Sequence, residues 1–257
     1  MNRRWNHAGR AGPERRDAGG PHGKGGAVND HPADLDRVLS HLPVFPLPNL
    51  VLFPGIIQPL HIFETRYRQM VEHCLASAPY LALALLKPGW EADYYGTPEV
   101  FPVACAGKIV HHERTSDGRY NILLQGFQRV AIEEFVVDRP YRRARTHLLW
   151  DHAAAVDFVE IERQAAAIRA CLKQLAIELP EVVEDIARVL QEVESPQQLA
   201  DFVAYFFIPE CHRKQRILET LDLRRRLDET REAIANVLLH VYSELHKEEG
   251  RNPTRLH

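Results

Sequence analysis

Residues 42–63, LPVFPLPNLVLFPGIIQPLHIF, restrict the fold more than any other part of the chain. They are apolar enough to be buried, yet Pro43, Pro46, Pro48, Pro54 and Pro59 divide them into short pieces. Proline breaks a helix interior and brings no N–H to a sheet ladder. The stretch therefore predicts short strands, with the prolines at strand ends or on edge strands, where a small β-barrel turns its corners.

Strand chemistry continues to about Trp150. The segments PYLALALLK (79–87), VACAGKIVHHERT (103–115), RYNILLQG (119–126), FQRVAIEEFVV (127–137) and YRRARTHLLW (141–150) are short, β-rich and bounded by turn residues. Asp117-Gly118 predicts a hairpin, since its turn asks for positive φ. Gly126 predicts a bulge or corner between two continuous strands. One helix interrupts this half: Tyr67, Met70, Val71, Cys74 and Leu75 form a one-sided apolar stripe that Pro79 brings to an end.

From about Asp151 the period becomes helical. Ile161, Ala165, Ile168, Leu172, Leu175 and Leu179 alternate spacings of four and three, a seam short enough to be the core of a bundle. Ser195 and Pro196 mark a helix start, followed by Leu199, Phe202, Val203 and Phe206 on one face. Pro209 closes that helix, and a last one carries Leu223, Leu227, Ile234, Val237, Leu238, Val241 and Leu245. Strands followed by helices predict an α+β architecture instead of a βαβ sheet. The expected divisions are a disordered tail over 1–39, a β-barrel with one helix over 40–151, a helical bundle over 152–249 and a second tail over 250–257.

Charge and composition narrow the function. The formal net charge of −3 argues against a chain that coats nucleic acid or membrane along its whole surface, and no apolar run reaches the length of a spanning helix. The first thirty residues carry arginines without an apolar core, so they are no secretory signal. They read as a disordered tail, or as sequence from a start assigned too early. AGGPHGKG within them fails the phosphate-loop pattern, with Ala18 at the first glycine and Gly25 where Ser or Thr is required. Cys74, Cys105, Cys171 and Cys211 stand far apart without a C-x-x-C pair, which suits buried reduced thiols of a cytoplasmic protein.

LPVFPLPNLVLFPGIIQPLHIFETRYRQMV resembles the start of the Lon protease amino-terminal domain, through Phe53-Pro54-Gly55, Pro59-Leu60 and the helix opening near Glu64. GKIVHHERTSDGRYNILLQGFQRVAI is similar to the second hallmark of that family, a Gly-led strand, a polar hairpin, a strand and then Gly-Phe-Gln-Arg. SPQQLADFVAYFF and KQRILETLDLRRRLDETREAI look like its helical part, so the resemblance runs over roughly residues 42 to 245. Thr65 stands where standalone bacterial members often carry proline. The resemblance implies a six-stranded, PUA-like β-barrel with a helical bundle, and a substrate-binding module that recognises polypeptide and does no catalysis. It also implies a standalone member, with no room after residue 257 for the ATPase and peptidase domains of full-length Lon.

No catalytic constellation competes with that expectation. The five serines suit turns, caps and helix ends, and none sits in a G-x-S-x-G elbow. His111 and His112 are adjacent on a strand and face opposite ways, so they do not share a metal ion. Glu64 reads as a first-turn carboxylate complementing the helix dipole, although His61 could also pair with it at i, i+3. The expected polypeptide site is the junction His61, Ile62, Phe63, Glu64 and Tyr67 with the loop aromatics Trp90, Tyr94 and Tyr95. It would hold unfolded segments or a partner protein by apolar contact, with strand addition to an open edge as a further mode, in a role linked to quality control. No cofactor, metal or nucleotide is expected. The competing reading is an RNA-binding module using Arg139, Tyr141, Arg143 and Arg145 on one strand face.

Overall fold

The computed structural model describes residues 32–93, 96–136, 139–152 and 158–251. Expectations for residues 1–31, Tyr94, Tyr95 and 252–257 lie outside the described residues. The chain is mixed α and β: six strands in one sheet and, among the described residues, seven α-helices. The strands are β1 (Leu42–Leu47), β2 (Ile57–Ile62), β3 (Tyr80–Leu85), β4 (Val103–Arg114), β5 (Tyr120–Val136) and β6 (Arg142–Leu148). Helix α1 (Pro32–Leu39) precedes them and α2 (Thr65–Ala76) lies between β2 and β3. After β6 come α3 (Phe158–Glu178), α4 (Val183–Glu192), α5 (Pro196–Phe207), α6 (Cys211–Glu219) and α7 (Leu223–Arg251).

The sheet runs β2-β5-β4-β3-β1-β6, and β6 also pairs with β5, so five strands form a closed circuit with β2 attached outside it. All pairings are antiparallel except β1 with β3. One edge of β5 follows β4; its other edge is shared, Tyr120–Gln125 with β2 and Val130–Val136 with β6. The handover falls at Gly126. The Gly126 amide donates to the Ile56 carbonyl, its own carbonyl accepts from the Gly55 amide, and a Cβ there would overlap the Phe53 carbonyl oxygen. Glycine is thus required by close backbone approach. The corner expected at Gly126 is present as a register shift beside a glycine, but Tyr120–Val136 forms one long strand and not two.

The prolines obey a subtler rule than edge placement. β1 has neighbours on both sides, yet Pro43 pairs only with Arg143 of β6 and Pro46 only with Ala84 of β3. Each stands where one neighbour has left, so its missing N–H breaks no ladder on that side. Pro59 lies in β2, which pairs with β5 alone, and matches the expected edge position.

β3 is buried on both faces. Leu81, Leu83 and Leu85 join Phe45, Phe53, Ile62, Met70 and Leu124 in one core, which also takes Ala204, Ile208, Ile217 and Leu218 from α5, its end and α6. Ala82 and Ala84 join Val44, Ala104, Ala106, Val130 and Ala144 in a second core. A third core lies among α3, α4, α5 and α7, and includes the predicted seam Ile161, Ala165, Ile168, Leu172 and Leu175. α1 falls within the stretch expected to be a disordered tail: Leu39 is buried in the second core and its carbonyl accepts from Thr146 Oγ1. Leu35, Val38 and Leu39 are spaced one helical turn apart, a signal too short to stand out in the sequence.

Strands and helices are also tied by charge. The buried Arg129 of β5 grips Asp201 of α5 through Nη1–Oδ2 and Nη2–Oδ1 contacts of 3.0 and 2.6 Å, and its Nε donates to the Leu218 carbonyl. Arg226 of α7 pairs with Asp151 at 2.6 Å and lies 3.8 Å from Asp201.

Candidate functional site

The corner from β2 into α2 sets out the expected site residues. His61 faces Asn121 on β5, with Nδ1 and Oδ1 2.7 Å apart, so it does not serve as a partner for Glu64 through that nitrogen. Alternation along the strand then buries Ile62 and leaves Phe63 59% exposed, its ring stacked toward His61. Glu64 is the N-cap residue in extended backbone and makes no side-chain cap bond; its carboxylate pairs with Arg66 at 3.1 Å. Glu64 thus stands one residue before the first turn expected for it, and the full charge of Arg66 is a side-chain partner of its carboxylate. Tyr67 is buried with its ring 4.5 Å from Phe45, and the Arg66 guanidinium lies 4.7 Å over that ring.

These residues surround a cavity of about 270 Å³. His61, Ile62, Phe63, Glu64 and Tyr67 line it, and so does Trp90 from the short 3₁₀ turn Trp90–Asp93. Six side chains picked from two separate stretches of sequence are therefore brought together. The rest of the lining was not among the expected site residues. Phe45, Leu47 and Leu60 come from the proline-divided segment, and Pro98 and Arg142 from beyond β3. The apolar members carried the same signal as any core residue, and only the fold shows that one side of them faces a cavity.

A second cavity of about 560 Å³ shares Arg66, Tyr67, Pro98 and Arg142 with the first, and adds Lys87, Glu99, Phe135, Arg139 and Tyr141. Its lining bears on the arginine set. β6 begins at Arg142, so Arg139 and Tyr141 precede the strand, and Pro140 between them lacks the N–H a ladder needs. Tyr141 is buried beside His73, Arg143 is half-buried, and Arg145 is bonded to Glu133 and Glu134. Arg139, Tyr141, Arg143 and Arg145 do not form one exposed strand face.

Chemistry elsewhere is subdued. Burial pushes the Cys74 and Cys105 thiols up to about 12, which keeps both protonated and poor nucleophiles at neutral pH. Cys171 and Cys211 are only half-buried, unlike the burial expected of all four cysteines. His111 and His112 are both exposed on β4. Among the described residues no three His, Cys, Asp or Glu side chains are grouped to hold a metal ion. Nor is any helix among them long and apolar enough to cross a membrane.

The family profile of the ATP-dependent protease La (LON) substrate-binding domain matches residues 41–236. The chain belongs to that family. It is 27% identical to the Lon protease of Dictyoglomus thermophilum over 187 residues, 72% of this chain and 23% of that protein. To the Lon protease of Roseiflexus castenholzii it is 30% identical over 197 residues, 76% of this chain and 24% of that protein. The matched region thus spans about a quarter of these relatives. In structure the chain is similar to the N-terminal domain of the Mycobacterium avium complex Lon protease, with a TM-score of 0.62 and 19% identity over 76% of this chain and 98% of that one. That likeness concerns the fold.

Proposed function

We propose that this protein is a non-catalytic polypeptide-recognition module, which takes an apolar segment of an unfolded or partner chain into the cavity beside the start of α2. In this reading the closed strand circuit is a PUA-like β-barrel that holds the corner rigid, and the task belongs to protein quality control. The observation that carries it is the convergence of His61, Phe63, Glu64, Tyr67 and Trp90 on one largely apolar cavity at the protein surface. A concave apolar site with a few polar groups at its rim is the usual form of a binding pocket. Membership of a substrate-binding domain family supports the same role. Strand addition gains less support: the one strand with a single partner, β2, has Pro59 at its centre and the Tyr205 hydroxyl bonded to Gln58 beside it. The RNA alternative is weakened by the carboxylates already bonded to Arg145.

The test is fluorescence anisotropy with a labelled, permanently unfolded polypeptide, without ATP, alongside an RNA oligonucleotide at low and high salt. Saturable polypeptide binding that changes little with salt is expected, because apolar contacts are not screened. Phe63→Ala, a substitution at an exposed side chain that leaves the core intact, should weaken it about tenfold. Salt-sensitive RNA binding with no polypeptide binding would instead move the site to the arginines.

A further inference from the structure

Arg66, Tyr67, Pro98 and Arg142 line both cavities. A hydrogen bond of 2.7 Å from Arg142 Nη1 to the Pro98 carbonyl ties two of these residues together, and the Arg142 guanidinium lies 5.6 Å from the Phe135 ring.

The two arginines shared by the cavities differ in what they hold. Arg66 is engaged by Glu64 and lies over Tyr67. Arg142 is half-buried, and no carboxylate of the described residues forms an ion pair with it. One donor of its planar fork goes to Pro98, which leaves Nε and Nη2 for a ligand. Burial pushes this guanidinium down from its ordinary value, with Tyr67 and Asp93 acting against the shift and Arg66 adding to it. An anion beside it would relieve that burden. The lining as a whole is positive: Arg66, Lys87, Arg139 and Arg142 against Glu64 and Glu99, in a chain whose net charge is −3.

We propose that the cleft takes the carboxyl-terminal end of a polypeptide, with its last apolar side chain among Phe45, Leu47, Leu60, Ile62 and Trp90 and its terminal carboxylate on Arg142. This rests on the polypeptide-recognition reading and adds which part of the client is read. Arg142, set beside the apolar lining of the smaller cavity, favours a chain end, which brings a carboxylate, over an internal segment. The volume of about 270 Å³ suits one or two side chains and not a folded surface. A carboxylate meets the free edge of the Arg142 fork in a geometry that a neutral amide cannot match.

The experiment compares one short labelled peptide with an apolar last residue in four forms: free acid, C-terminal amide, acid extended by a Gly-Ser tail, and amide with an internal aspartate. On the wild-type protein the free acid is expected to bind about tenfold to a hundredfold more tightly than the amide and the extended form. Arg142→Gln should remove the difference, and Arg142→Lys should keep part of it, since lysine retains the charge but not the fork. Equal binding of acid and amide would overturn the end-reading proposal and leave polypeptide recognition standing. An internal-aspartate amide binding as tightly as the acid would overturn it in favour of an acidic side chain. No binding of any form would overturn both. The acid and amide comparison is made on the wild-type protein, so it decides the matter even where a variant fails to fold.

Discussion

Arg226 is the largest side chain among the described residues with no exposed surface, and it is held by carboxylates on two sides, Asp151 and Asp201. A charge so placed is tolerable only while its partners stay ionised. Burial pushes the Asp151 carboxyl up, but the hydrogen bonds and charge of Arg226 outweigh it and hold the folded value below the ordinary 3.8. A depressed carboxylate contributes stability above its unfolded pKa and loses it as pH falls through the folded value. Urea midpoints measured at a series of pH values should therefore fall from about pH 4 downward, and Asp151→Asn should flatten that part of the curve while lowering the plateau. This network was not legible beforehand. Arg129 stood in the sequence as the last letter of Gly-Phe-Gln-Arg, but arginine is among the side chains least often buried, and its partner Asp201 is 72 residues away. Phe63, expected from the junction of barrel and helix, and Trp90, expected from the aromatics of a long loop, both line the smaller cavity.

The elements were readable wherever one period ran long enough. The stripe Tyr67, Met70, Val71, Cys74 predicted α2 within a residue or two, and Ser195 does cap α5, with Gln198 reaching back to complete a capping box. What failed was the count of strands at Gly126, because a glycine that permits close approach and a glycine that ends a strand look alike in sequence. The two roles separate by substitution. Gly126→Ala would press a methyl group into the Phe53 carbonyl at the point where β5 passes from β2 to β6. A loss of about 3 kcal/mol is expected in chemical denaturation, since backbone cannot move aside as a side-chain tip can. Ser195→Ala, which removes one cap bond, should cost only about 1 kcal/mol. Equal losses at the two positions would contradict the close-approach reading of Gly126.

At the scale of the molecule, the described residues make one compact unit. α5 is the joint, with Leu199, Ala200 and Val203 in the helical core, Ala204 in the core shared with the strands, and Phe202 packed against both. Asp201 on the same helix takes the charge of Arg129. Strands and helices should consequently unfold in a single urea transition, seen alike by far-UV circular dichroism and tryptophan fluorescence. Arg129→Ala should move that transition down by about 3–5 kcal/mol, because it leaves Asp201 buried without its bidentate partner. Two separated transitions in the wild type would show that the joint is weaker than its geometry indicates. The proline-divided segment has a consequence in time as well as in space. β1 leaves the ribosome first among the strands, but Pro43 finds its partner only when Arg143 has been made. At ~5–20 residues per second that interval is on the order of ten seconds, during which an apolar strand has open edges. Pro43 and Pro46 leave gaps in the row of donors along it, which makes the nascent strand a poor template for another chain. The residues that let β1 hand over between two neighbours in the finished sheet thus also guard it while those neighbours are still being translated.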